Sequence, residues 1–191
     1  MRWSQVNPAW PDAPLKLFGA GADSGTFDYF TEAVTGKSKS SRGDFTASED
    51  DNVLVQGVAQ DTNALAFFGY AYYAENTTRL RAVPIVEKAG KGAVLPSETT
   101  VLNGSYQPFS RPIFIYINAK SLDKPEIKEF VAFYMKNVTK IAKEVKYIPL
   151  PQKAYDINLE HLAKGKKGTV FGGVAEVGVT IEALLAREAK L

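Results

Sequence analysis

Cysteine is absent from the 191 residues, and histidine occurs once, at His161. The first absence excludes disulfides, thiolate chemistry and cysteine-ligated zinc or iron–sulfur sites; the second excludes any multi-histidine metal site. A cysteine-free chain suits an exported protein that avoids wrong pairings. A strong charge of either sign is missing as well. Lys and Arg number 23 against 21 for Asp and Glu, a net charge of +2. That is too near neutral to argue for a nucleic-acid partner. The balance shifts mildly along the chain, with ten basic and twelve acidic residues up to Asn118 and thirteen and nine from Ala119 onward. The later lysines alternate with acids, as on a solvated helical surface. No apolar run is long enough to span a bilayer. The first residues, Met1-Arg2-Trp3-Ser4-Gln5, lack a signal-peptide apolar region. No internal repeat or low-complexity segment is visible.

What the chain does have is an ordinary globular balance, 45% hydrophobic and 23% charged, enough for a real core. Prolines at 8, 11 and 14 make the start irregular. Leu15-Lys16-Leu17-Phe18 then alternates like a strand. The small residues Gly19 to Ala22 turn the chain into a helix that starts at Asp23 or Ser24, carries Phe27, Phe30 and Val34, and ends at Gly36. Residues 37–47 read as polar loop. Ser48-Glu49-Asp50-Asp51 caps a second helix with an acidic first turn, so Asp50 and Asp51 are helix-start carboxylates and not catalytic acids. Residues 64–68 read as a buried strand, 70–76 as a short helix, and 80–86 as another strand. After a joint at Pro108–Pro112, residues 113–117 (Ile-Phe-Ile-Tyr-Ile) give the strongest strand signal of all. Pro125 opens a later helix, and the last helix carries Val179, Ile181, Leu184 and Leu185. Strands alternating with helices predict an α/β fold, in which ligands sit beyond strand ends at helix N-termini.

One such junction carries chemistry. In Gly19-Ala20-Gly21-Ala22-Asp23-Ser24-Gly25-Thr26-Phe27 the glycines admit a ligand close to the backbone. The first helix amides have no intrahelical acceptor, and the helix partial charge there favours an anion. Ser24 and Thr26 add hydroxyls, and Gly25 keeps the approach open. A plain capping turn and a cradle for a tetrahedral oxyanion both explain this segment. A serine nucleophile is a third reading, but the nucleophile elbow needs Gly where Ala22 stands, and His161 is the sole imidazole. No phosphate-binding P-loop pattern occurs. A second segment places Arg42 in the loop between the two helices. Its planar guanidinium matches an oxyanion, although a pairing with Asp44 is the simpler reading of that residue alone.

Four motifs in order then add a resemblance. They are Gly-Ala-Asp-Ser-Gly-Thr-Phe-Asp-Tyr-Phe (21–30), the stretch from Ser41-Arg42 through Ser48-Glu49-Asp50-Asp51-Asn52 to Val58, the segment 64–73, and Tyr-Gln-Pro-Phe-Ser-Arg-Pro-Ile-Phe-Ile-Tyr (106–116). Together, over about Trp3 to Ala154, they resemble the phosphate substrate-binding proteins of ABC importers. The resemblance implies a type II periplasmic-binding-protein-like fold, with one nearly complete, phosphate-holding lobe over 1–110 and the returning part of the other lobe over 111–191. It implies a non-enzymatic protein without cofactor, located in the periplasm or at the cell surface, whose ligand is inorganic phosphate and whose partner is a membrane permease. Phosphate is expected at Ser24, Gly25 and Thr26, with Asp23 orienting the turn. The family's arginine just before the turn is replaced by Ala20, so Arg42 is the expected substitute. Family members carry a signal peptide and most of a first lobe that this chain does not match. Self-association, or complementation by a first-lobe fragment, is therefore expected. A sulfate-like oxyanion, a non-binding remnant of the family and a serine hydrolase remain alternatives.

Overall fold

The computed structural model describes residues 1–174 and 176–190. They fall into two compact units, Met1–Val83 and Pro84–Leu191. Residues 84–110 belong to the second unit.

The first unit runs α1 (Trp3–Val6), β1 (Lys16–Ala20), α2 (Gly25–Thr35), β2 (Thr46–Ser48), α3 (Asp51–Ala59), β3 (Ala64–Phe67) and α4 (Tyr70–Glu75). Its three strands form one parallel sheet in the order β2-β1-β3. Phe18 stands opposite Thr46 on one side and Ala66 on the other, so the segment with the clearest alternation became the central strand. Parallel neighbours need a crossover, and α2 and α3 supply it. In the sequence, Thr46 and Ala47 of the strand β2 read as loop and Ser48 as a helix cap. The strand's three residues, Thr-Ala-Ser, are too short a run to show a period, and they are ordered by pairing with β1.

The ends of α2 and α3 follow local rules. The Ser24 hydroxyl caps α2, which stops at Gly36 in a left-handed conformation (φ 75°). The Asp50 carboxylate caps α3 by accepting from the Asn52 amide at 2.9 Å. Apolar spacing then places Leu54 and Val55 of α3 and Phe27 of α2 in the core with Ala20. Leu54 is fully buried, which contributes about 1.5–3 kcal/mol relative to exposure. Aromatic rings close the layer between helix and sheet, with Phe30 stacked on Phe67 at 3.9 Å between centroids.

The second unit contains α5 (Glu98–Leu102), a 3-10 helix (Ala119–Asp123), α6 (Pro125–Glu144), α7 (Gln152–Ala163) and α8 (Ile181–Glu188). Pro125 sits at the first turn of α6, where its missing N–H costs nothing. Val131, Ala154, Tyr155 and Leu184 are its buried residues of greatest apolar content, and the Tyr155 hydroxyl accepts from the Leu150 amide at 2.8 Å.

Two expected strands are not strands. Residues 80–86 contribute only a single bridge, Ile85 to Val94. Residues 113–117 are unpaired, with Ile113 68% and Tyr116 81% exposed. Apolar, β-branched composition signals a residue type that fits a sheet, but a strand exists only where a second strand completes its ladder. Among the described residues, no strand pairs with this segment. No described helix is long and apolar enough to cross a membrane.

Candidate functional site

The central strand β1 ends at Ala20, and the chain turns through Gly21, Ala22 and Asp23 before α2 begins. The turn is built from backbone bonds. Gly21 N–H donates to Ser48 O at 3.0 Å, tying it to the neighbouring strand, and Ser24 N–H donates to Gly21 O at 3.0 Å. The Ser24 hydroxyl accepts from Thr26 N–H at 3.1 Å, and Asp28 N–H returns to Ser24 O at 3.2 Å. The amides of Gly25 and Phe27 have no acceptor among the described residues. Two bare N–H groups at a helix start, at the carboxyl end of a central parallel strand, form a donor surface suited to an oxyanion. Ser24 and Thr26 are half-buried and Gly25 is exposed, so the surface is open to solvent on one side.

The structure brings Asp23, Ser24, Gly25 and Thr26 together, as their adjacency requires. It is the Asp23 amide that is engaged, donating to Glu49 Oε1 at 3.2 Å. Arg42 stands in the 36–45 connection, in a two-pronged ion pair with Asp44 and with Nη1 2.9 Å from Met1 Sδ. That pairing holds the Asp44 carboxyl down to about 2, with the Arg42 hydrogen bonds as the first cause.

The cation that reaches the turn is Lys39, which the sequence reading did not single out. Its Nζ donates to Ala22 O at 3.2 Å and lies 3.8 Å from Asp28 Oδ1. Lys39 has φ 62°, unusual for a residue with a side chain. Its amide is fixed there by donating to Thr31 Oγ1 at 2.8 Å. Glu49 was read only as part of an acidic helix start. No local pattern marks either residue, because both contacts are made across the fold.

Nothing at Ser24 resembles an activated nucleophile. Its hydroxyl accepts from its own helix, and no imidazole is among its partners. His161, the sole imidazole, does not stand exposed. It is instead largely covered, with Nδ1 3.3 Å from Glu188 Oε2, because α7 and α8 both carry apolar residues that pack in the second unit. Among the described residues there is no group of three or more His, Cys, Asp or Glu that could hold a metal ion.

Comparison with known proteins places this turn in context. Residues 1–138 match the family model described as the PBP superfamily domain. The chain is 50% identical over 189 residues to protein SphX of Synechocystis, covering 98% of this chain and 56% of that protein. It is 36% identical over 168 residues to phosphate-binding protein PstS of Staphylococcus haemolyticus, covering 86% of this chain and 51% of that protein. A crystal structure described as a possible phosphate binding protein from Planctomyces limnophilus superposes with a TM-score of 0.72 at 46% identity. That superposition covers 87% of this chain and 59% of the other. The chain thus spans about half the length of the curated relatives it matches. The α/β fold and the family expected from the four motifs are both borne out, and the sheet is parallel. The chain belongs to the PBP superfamily, among relatives named SphX and phosphate-binding protein PstS.

Proposed function

We propose that this chain binds inorganic phosphate at the Asp23–Thr26 turn, as the substrate-binding component of an ABC-type phosphate import system. The observation that carries this reading is the pair of bare amides on Gly25 and Phe27, beside the Ser24 and Thr26 hydroxyls. Each group can donate to an oxygen of a tetrahedral anion, and the helix start adds a favourable field of about 0.3–1 kcal/mol for a negative charge. The names of the relatives supply the choice of phosphate among oxyanions. Arg42 is the proposed guanidinium partner. To serve, it exchanges its Asp44 carboxylate for phosphate, like for like in charge and fork geometry. Asp23 shapes the turn and keeps its carboxylate away from the anion.

The role is binding and delivery, without catalysis and without a cofactor. The setting is the periplasm or the cell surface, with a membrane permease as the receiving partner. Residues 1–110 are proposed as the phosphate-holding lobe and 111–191 as the returning part of the other. Calorimetric titration tests the assignment. Thr26→Ala and Arg42→Ala each weaken phosphate binding, by roughly tenfold for a lost hydrogen bond to a charged group. Phosphate affinity unaltered in both variants sinks the site, and equal affinity for sulfate moves the reading to a general oxyanion binder.

A further inference from the structure

The peptide bond between Ala22 and Asp23 is held at both of its polar ends. Its carbonyl, on Ala22, accepts from the Lys39 ammonium at 3.2 Å. Its amide, on Asp23, donates to Glu49 Oε1 at 3.2 Å. The two side chains arrive from different segments, Lys39 from the connection after α2 and Glu49 from the one between β2 and α3. Among the described residues no hydrogen bond or ion pair joins the two side chains directly, and this one planar unit links them.

Two further features keep the side chains in place. A Cβ built on Gly21 lies 1.9 Å from Glu49 Oε1 and 2.5 Å from its Cδ, so the carboxylate occupies the space that any side chain at 21 needs. Gly21 is buried and is not among the residues with positive φ, so what favours glycine there is this approach and not backbone freedom. Lys39 is anchored through Thr31, whose buried hydroxyl takes its amide and itself donates toward Phe27 O at 2.8 Å and Asp28 O at 3.0 Å. The lysine is thereby referenced to the same first turn of α2 whose amides are bare.

We propose that Lys39 and Glu49 are positioning residues that fix the plane of the Ala22–Asp23 peptide and so set how the Asp23–Thr26 turn meets phosphate. The proposal rests on the phosphate reading above. A trans peptide rotates as a rigid plate, through the dihedrals on either side. In one orientation the Ala22 carbonyl is satisfied by a cation. Turned over, that carbonyl would lose the ammonium and point at the Glu49 carboxylate, and the dihedrals leading into the turn would change with it. A cation on the carbonyl and a carboxylate on the amide favour the same orientation of one plate, so removing either loosens the same motion. Lys39 also places positive charge on the first turn of α2, where the nearest carboxylate, Asp28 Oδ1, is buried and makes no hydrogen bond.

The test combines two readouts on the full chain: the amide resonance of Asp23 without any anion, and the dissociation constant for inorganic phosphate. Glu49→Ala moves the Asp23 resonance and weakens phosphate binding by roughly tenfold. Gly21→Ala, which expels the carboxylate without touching it chemically, does the same. Glu49→Gln keeps an oxygen acceptor and restores both readouts. Lys39→Met weakens binding as well, and combined with Glu49→Ala it loses less than the product of the single effects, because both act on one peptide. An unmoved Asp23 resonance in Glu49→Ala, affinity equal to or tighter than wild type, or single effects that multiply independently would each overturn the proposal. A wild-type chain with no phosphate affinity, in which Glu49→Ala still moves Asp23, overturns the phosphate reading and leaves the clamp with a folding role only.

Discussion

Ser24 carries two duties that a single substitution confounds and a pair of substitutions separates. Its hydroxyl caps α2, and it is a proposed phosphate donor. Ser24→Ala removes both, and a lost serine cap costs about 1 kcal/mol of stability. Ser24→Gly loses the hydroxyl but costs only a few tenths of a kcal/mol as a cap, by about the same rule. Thermal denaturation should therefore rank wild type close to Ser24→Gly and above Ser24→Ala, while phosphate titration ranks wild type above both. Equal phosphate affinity in wild type and Ser24→Gly would remove the hydroxyl from the site. Asp51, in the first turn of α3, gives a pH-dependent prediction. Burial, followed by the charges of Asp50 and Glu49, pushes its carboxyl up from the ordinary range. A raised carboxyl favours the protonated form in the folded state, so its charge weakens folding increasingly as pH rises through that range. Asp51→Asn should stabilise the chain at neutral pH and lose that gain in acid, below about pH 3, where the carboxyl is neutral anyway. A gain of equal size at both pH values contradicts this. The turn residues 23–26 were legible in the sequence because caps and bare amides are local. Lys39 and Glu49 were not, since their bonds span 17 and 26 residues.

At the scale of elements, periodicity and caps were enough to find β1, α2, α3, β3 and α4. They could not find how α3 approaches the sheet. A Cβ on Gly57, in the middle of α3, would lie 2.4 Å from the Phe18 ring of β1. Helix propensity alone makes Gly57→Ala stabilising by about 0.5–1 kcal/mol. Overpacking against an aromatic ring in the layer costs about 1–3 kcal/mol and reverses the sign. Urea unfolding of Gly57→Ala should show a net loss of stability, and a gain would mean that Phe18 moves aside freely. The misread strands at 80–86 and 113–117 fail for a complementary reason. A helix completes its hydrogen bonds within its own segment, whereas a strand depends on a partner that its own residues do not encode.

For the whole molecule, the main fact is incomplete overlap with its relatives. Nearly all of the chain aligns to SphX proteins, yet the alignment spans little more than half of them. Within the second unit, Ile113, Phe114, Ile115 and Tyr116 form an exposed run of unpaired backbone and apolar side chains. Phe130 and Phe133 of α6 are exposed as well, at 63% and 59%. Exposed apolar segments with unpaired backbone are templates for pairing with another strand. Sedimentation should accordingly show concentration-dependent association, weakened by Ile113→Lys and Tyr116→Lys. A well-behaved monomer at every concentration argues against association through this segment.

The central claim concerns two amides, and they can be observed one by one. In an amide-resolved titration of the chain with inorganic phosphate, the resonances of Gly25 and Phe27 should shift together and saturate with a single dissociation constant. The Thr26→Ala variant should need more phosphate to reach the same shift. Resonances of Gly25 and Phe27 that stay fixed as phosphate rises would contradict the account, whatever else in the spectrum moves.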